Sequence, residues 1–115
     1  MATTADFVAY VHEQSGLGAD LSYKKMFGEY ALYLGGKVVA LACDNSLFVK
    51  PTPATEPLAA ELPRQPPYPG ARPHLLADDL LDDSDSLRGL LLATAAALPL
   101  PAPKRVRKTR GGGRA

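Results

Sequence analysis

Few side chains in this 115-residue chain are of types that do chemistry, and their spacing decides which reactions remain open. Cys43 is the one cysteine, and the two histidines, His12 and His74, are far from it and from each other in sequence. That spacing matches no zinc site, which needs clustered Cys and His ligands. Ser15 and Ser46 lack the Gly-x-Ser-x-Gly elbow that exposes a nucleophilic serine. Cys43 beside a turn reads as a semi-buried small residue rather than a nucleophile, and His74 after a proline as a strand or loop residue. Gly35-Gly36 lies between two apolar runs, so it cannot supply the strand-to-helix glycine turn of a nucleotide-cofactor fold. Asp78, Asp79, Asp82, Asp83 and Asp85 invite a calcium reading, but the loop glycine and terminal glutamate of an EF-hand are missing and two leucines interrupt the cluster. Acids at the start of a helix, offsetting its dipole, account for them. No catalytic, metal or cofactor residue is expected, and the chain is read as a non-enzyme.

Charge gives a different signal. Residues 104–115 hold Lys104, Arg105, Arg107, Lys108, Arg110 and Arg114 without an acid, while the other 103 residues carry seven basic and twelve acidic side chains. The net charge of +1 therefore hides an acidic body and a basic tail. Six such cations would attract phosphate backbones with a steep salt dependence. The tail has no aromatic residue to stack on bases, so weak, non-specific nucleic-acid contact is the expectation. No apolar run approaches the ~18 residues of a membrane span. The start, MATTADFVAYVHEQ, lacks the basic and apolar regions of a secretory signal, and a cytoplasmic protein is expected.

The elements follow from periodicity and punctuation. Thr3 or Thr4 can cap a helix over residues 4–15, with Asp6 in its first turn, Phe7, Val8 and Val11 at helical spacing, and Gly16 as its stop. His12 and Glu13 fall toward its solvated side. From Leu21 to Lys50 the pattern is β, and Gly35-Gly36 and Asp44-Asn45 suit two-residue hairpin turns. Three strands then form an antiparallel meander, and one or two more strands are expected to extend the sheet. With 35–36 and 44–45 as the turns, one face shows Tyr30, Leu32, Leu34, Val39, Leu41, Cys43 and Phe48. The other shows Ala31, Tyr33, Val38, Ala40, Ala42, Leu47 and Val49. Both faces are apolar, so helices are expected on one, with the proline-rich segment or a second subunit on the other. Residues 51–73 hold eight of the eleven prolines, which leaves room for a short helix around Thr55 to Leu62. His74 to Ala77 can add a strand. Leu87, Leu90, Leu91 and Leu98 share one face of a last helix, capped by Asp83 or Ser84 and ended by Pro99. Residues 99–115 read as an extended, disordered tail.

The stretch KKMFGEYALYLGGKVVALACDNSLFVK carries a resemblance. Lys25-Met26-Phe27-Gly28, then Tyr30, Leu32, Tyr33 and Gly36, then Leu47-Phe48-Val49-Lys50, resemble in order and wording the N-terminal domain of the TfoX/Sxy family of bacterial proteins linked to competence for DNA uptake. The likeness spans roughly residues 5 to 98. It implies an α+β domain, an antiparallel sheet flanked by N-terminal and C-terminal helices, with a regulatory or protein-interaction role and no catalytic residues. Where the longer competence regulators have a second domain, this chain has proline spacing and the basic tail. The partners expected are a protein, such as a component of the transcription machinery, weakly bound nucleic acid, or a second copy through an apolar sheet face. Within the motif, Met26 and Phe27 are expected in the core, Gly28 at a bend or bulge, and Lys24 and Lys25 in solvent.

Overall fold

The computed structural model describes residues 3–99. Its fold is α+β: a six-stranded antiparallel sheet with one helix at each end of the chain. Helix α1 (Ala5–Ser15) begins where Thr4 accepts the Phe7 N–H on its side-chain oxygen. It ends where Gly16 turns left-handed at φ 67°, which costs glycine little. Strands β1 (Leu21–Met26), β2 (Glu29–Leu34), β3 (Lys37–Cys43) and β4 (Ser46–Val49) follow as consecutive hairpins. The proline-rich connection supplies the short β5 (Arg64–Gln65), then come β6 (His74–Leu76) and α2 (Ser84–Ala97), in the spatial order β1-β2-β3-β4-β6-β5.

Each of the three tight turns joining β1 to β4 has both central residues at positive φ. They are Phe27-Gly28 (52°, 82°), Gly35-Gly36 (63°, 78°) and Asp44-Asn45 (53°, 56°). This is the turn whose twist matches that of a two-residue hairpin. The last two stand where the sequence puts them. The first makes Leu21–Met26 a strand of its own, so the sheet exceeds the expected meander of three strands with one or two more.

Register departs from expectation at one place. Pairing starts in step, Leu34 with Lys37 and Tyr33 with Val38, but Leu32 then pairs with Ala40, and Val39 is the extra residue of a bulge. Beyond it every partner in β3 is shifted by one, and a one-residue shift exchanges the faces. Leu32, Ala40 and Val49 line up across the sheet, as do Tyr30, Ala42 and Leu47. With Leu21, Leu34 and Leu75 they join Val8 and Val11 of α1 and Leu87, Leu90 and Leu91 of α2 in the main core. Val39, buried at the bulge, joins them. The opposite face carries Ala31, Leu41 and Phe48, again in one row, with Cys43. Both face sets of the unbulged register are thus corrected: Leu41, Cys43 and Phe48 part from Leu32, and Ala31 parts from Ala40 and Ala42.

The last helix follows the sequence closely. Asp83 caps it by accepting the Ser86 N–H, and its three buried leucines are worth ~1.5–3 kcal/mol each. Lys37 donates to the Ala95 carbonyl (2.7 Å), placing a cation where the dipole of α2 is negative. The expected helix at Thr55 to Leu62 is absent. A 3₁₀ turn, Pro53–Thr55, held by a Thr52–Thr55 capping box, leads into irregular turns. Only five residues separate Pro57 from Pro63, too few to offset the cost of starting a helix. His12 is half-buried rather than solvated. Its Nε2–H points at the carbonyls of Gly18 and Leu21 (both 2.9 Å) and its ring meets Tyr23 edge-on, pinning α1 to the start of β1.

Candidate functional site

The two helices cover one face of the sheet, and the residues that could meet a partner gather on the other, at the end where the β1–β2 and β3–β4 turns lie side by side. The chain's N-terminal residues lock these turns together. Thr3 donates its N–H to the Gly28 carbonyl (3.0 Å), and its hydroxyl, directed at Glu29 and the Ala42 carbonyl, accepts the Asn45 N–H. The Glu29 carboxylate also accepts the Asp44 N–H (3.1 Å), and the Asn45 side chain accepts the Thr4 N–H (3.0 Å). A two-residue turn held from so many sides has little freedom.

On this rigid corner sits Phe27. Its side chain is fully exposed (101%), and Met26 beside it is 43% exposed. Neither residue packs into the core as expected from the motif. With Met26 paired to Glu29, Phe27 and Gly28 are left as the two turn residues, and the chain reverses before a side chain there can reach the interior. Gly28 bends the chain as expected, but as half of a tight turn. Tyr30 packs on the helix-side core, its ring edge-on to Tyr23. Gly36 holds the second turn. Lys24 and Lys25 are exposed, as the sequence implies.

Beside Phe27 opens a groove of about 530 Å³, lined by Met26, Phe27, Glu29, Tyr30, Leu41, Cys43 and Tyr68. The proline-rich connection forms one wall: Pro67 is buried, and Tyr68, 56% exposed, lines the groove together with Leu41 and Cys43. Tyr68 and Glu29 are the members that sequence reasoning missed; of these Tyr68 is the harder to foresee. No periodicity links it to residues 26–43, and the signal was a lone aromatic in a proline-rich run. Cys43 forms part of the floor. Burial, reinforced by the nearby charges of Glu29 and Asp44, raises its thiol from 9.0 to about 11, so it is protonated at neutral pH and a poor nucleophile.

Four of the five carboxylates of the acidic stretch have separate tasks. Asp78 accepts the Leu47 N–H (2.7 Å), Asp82 meets the Tyr10 hydroxyl, and Asp85 pairs with Arg88. Asp83 is held below its ordinary pKa by the Ser86 hydroxyl and then by the Ser86 backbone N–H. Among the described residues no three His, Cys, Asp or Glu side chains are grouped to hold a metal ion. Lys104, Arg105, Arg107, Lys108, Arg110 and Arg114, the expected nucleic-acid contacts, lie outside the described residues. No helix among the described residues is long and apolar enough to cross a membrane.

Fold and surface together define a small α+β domain whose helices close one sheet face and whose other face offers an apolar groove beside an exposed aromatic. Residues 14–98 match the model of the TfoX N-terminal domain, and the chain belongs to that family. The match begins within α1, somewhat later than the roughly residues 5 to 98 expected. A relative from Spirochaeta aurantia, an uncharacterized 12.7 kDa protein in the trpE 5′ region, is 42% identical over 112 residues, covering 96% of this chain and 97% of its own. No solved structure matches the chain.

Proposed function

We propose that this domain is a non-enzymatic regulatory module of the cytoplasm that docks another protein on its open sheet face. The basic tail, residues 104–115, adds non-specific contact to nucleic acid, and the setting is gene regulation, as the competence-linked members of the family suggest. The observation that carries the docking reading is Phe27. A bulky residue at φ 52° bears a backbone cost, and its exposed ring returns no burial within the chain. The adjoining groove gives a partner both a projection to grip and a cleft to fill, the arrangement of an aromatic hot spot. Glu29, among the lining residues, supplies polar selection beside an apolar centre.

The test compares proteins captured from lysate by the full chain and by its Phe27→Asp variant, followed by titration of any purified partner against both. Selective loss of that partner from the variant is the expected result. An unchanged set of bound proteins with unchanged affinities refutes the docking role of this face. Deleting residues 104–115 tests the tail separately: affinity for a random DNA duplex should fall and lose its salt dependence.

A further inference from the structure

Past α2 the chain is delivered to the open face. Leu98 and Pro99 share a depression with Tyr33, Gly36, Val38 and Lys50, at the end of the sheet opposite the groove. Tyr33 lies two residues from Ala31 on β2 and pairs with Val38, so both face away from the helices. We infer that residues 100–105, LPAPKR, run from there along the open face between β2 and β3 as a strap over the groove floor. This rests on the reading of that face as a docking surface and says what a docking protein has to displace.

Reach and charge agree on the path. From Tyr33 to Glu29 is four residues of β2, ~13 Å at ~3.3 Å each. Cys43 is level with Glu29, one step beyond the Tyr30–Ala42 pair, and Asp44 follows at ~17 Å. With Pro101 and Pro103 the strap favours the polyproline form, which advances ~3.1 Å per residue. Counted from Pro99, Lys104 arrives at ~16 Å and Arg105 at ~19 Å, beside Glu29 and Asp44. The uncharged Leu100-Pro101-Ala102-Pro103 passes the cations of the face, Lys50 at the entry and Lys24 beside Ala31. Its apolar side chains lie along Tyr33, Val38 and Leu41, each half-buried, and proline-rich segments pack well on aromatic rings. The acids wait at the far end. Asp44 is exposed and in no ion pair among the described residues. After burial, the charges of Glu29 and Asp44 are what raise the Cys43 thiol, so both act on the groove floor.

The line runs between β2 and β3, so Phe27, at the turn into β1, stays outside it. The strap closes the floor and leaves the projection for a partner to grip. Attachment to α2 supplies the occupancy: a short tether gives an effective concentration in the millimolar range, on the order needed by a contact too weak to hold a free peptide.

The test is a nitroxide attached through Thr109→Cys in the full chain, read by the line widths of backbone amides. Cys43 is left in place because it is buried. The amides of Glu29, Cys43 and Asp44 should broaden more than those of Gly36, Val38 and Lys50, nearer the tail's root. Lys104→Glu with Arg105→Glu should abolish that broadening, and Asp44→Asn, which suits the left-handed turn, should reduce it, with circular dichroism confirming each fold. Salt raised to about 1 M, where screening acts over ~3 Å, should reduce it as well. A tail without this contact would centre on Pro99 and broaden Gly36, Val38 and Lys50 most, which overturns the inference. Charge reversal without effect overturns it too. If the strap is absent while capture still depends on Phe27, the docking face stands and only its internal occupant is lost. If the strap is present while capture is indifferent to Phe27, the strap stands and the docking role falls.

Discussion

Replacing Phe27 by asparagine should make the isolated domain more stable, although it alters a residue of the family motif. In the native turn Phe27 holds φ 52° and Gly28 φ 82°, a hairpin geometry for which Asn-Gly is a favoured pair. A left-handed conformation costs an ordinary L-residue about 1–2 kcal/mol, and asparagine recovers part of that by bonding locally to the backbone. The ring contributes nothing on the other side, because it is as exposed in the folded chain as in an unfolded one. Phe27→Asn should therefore gain about 0.5–1 kcal/mol, from a several-fold preference for the left-handed region. For a domain of this size that is a rise in Tm of roughly 2–6 °C. Urea unfolding should show a higher midpoint at unchanged slope, measured at low micromolar concentration so that association does not contribute. An unchanged or lower midpoint would mean that Phe27 is held by contacts within its own chain. Its exposure would then no longer be grounds for an external partner.

Other expectations follow from the same structure. Asp78→Ala removes the acceptor of the Leu47 N–H and should lower stability by about 1–3 kcal/mol, as for a stranded buried donor, with Asp78→Asn losing less; calcium should shift neither midpoint. Cys43 should react with a disulfide reagent about a hundredfold more slowly in the native protein than in urea at pH 8, because the rise from 9.0 to about 11 cuts the thiolate fraction by that factor, and burial should slow it further. In the window from pH 9.0 to about 11 the unfolded chain releases this proton while the native one retains it, so stability should fall as pH rises, and Cys43→Ala should remove that slope. Asp83 acts with the opposite sign: its lowered pKa contributes stability above its ordinary value of 3.8 that is lost as pH falls through the folded value. Ser86→Ala should flatten that acid limb in a urea series across pH.

Features settled within a few residues were legible without the structure. Thr4 and Gly16 bound the first helix and Asp83 the last, because a cap is a contact between a side chain and a backbone three or so positions away. Gly35-Gly36 and Asp44-Asn45 declare their turns because glycine, asparagine and aspartate tolerate left-handed backbone. Phe27-Gly28 gave half of that signal. An aromatic in a first turn position looks like core, and it took the pairing of Met26 with Glu29 to show that the chain had already reversed.

The candidate site was less legible, since its members meet through contacts distant in sequence. Composition announced that both sheet faces are apolar but not which residues share a face: the bulge at Val39 is one residue in length and moves every partner beyond it. Tyr68 joins Leu41 and Cys43 in lining the groove because the proline-rich path runs beside them, and no local rule specifies where such a path runs. By itself the sequence determined the family, the capped helices, two of the three tight turns and the asymmetry of charge. Tertiary structure alone decided the register, the side of the sheet that the helices close, and the emergence of Met26-Phe27-Gly28 as a projecting corner. The reason is one of range: caps and turns are fixed by neighbouring atoms, whereas faces and grooves depend on which strands meet and in what step.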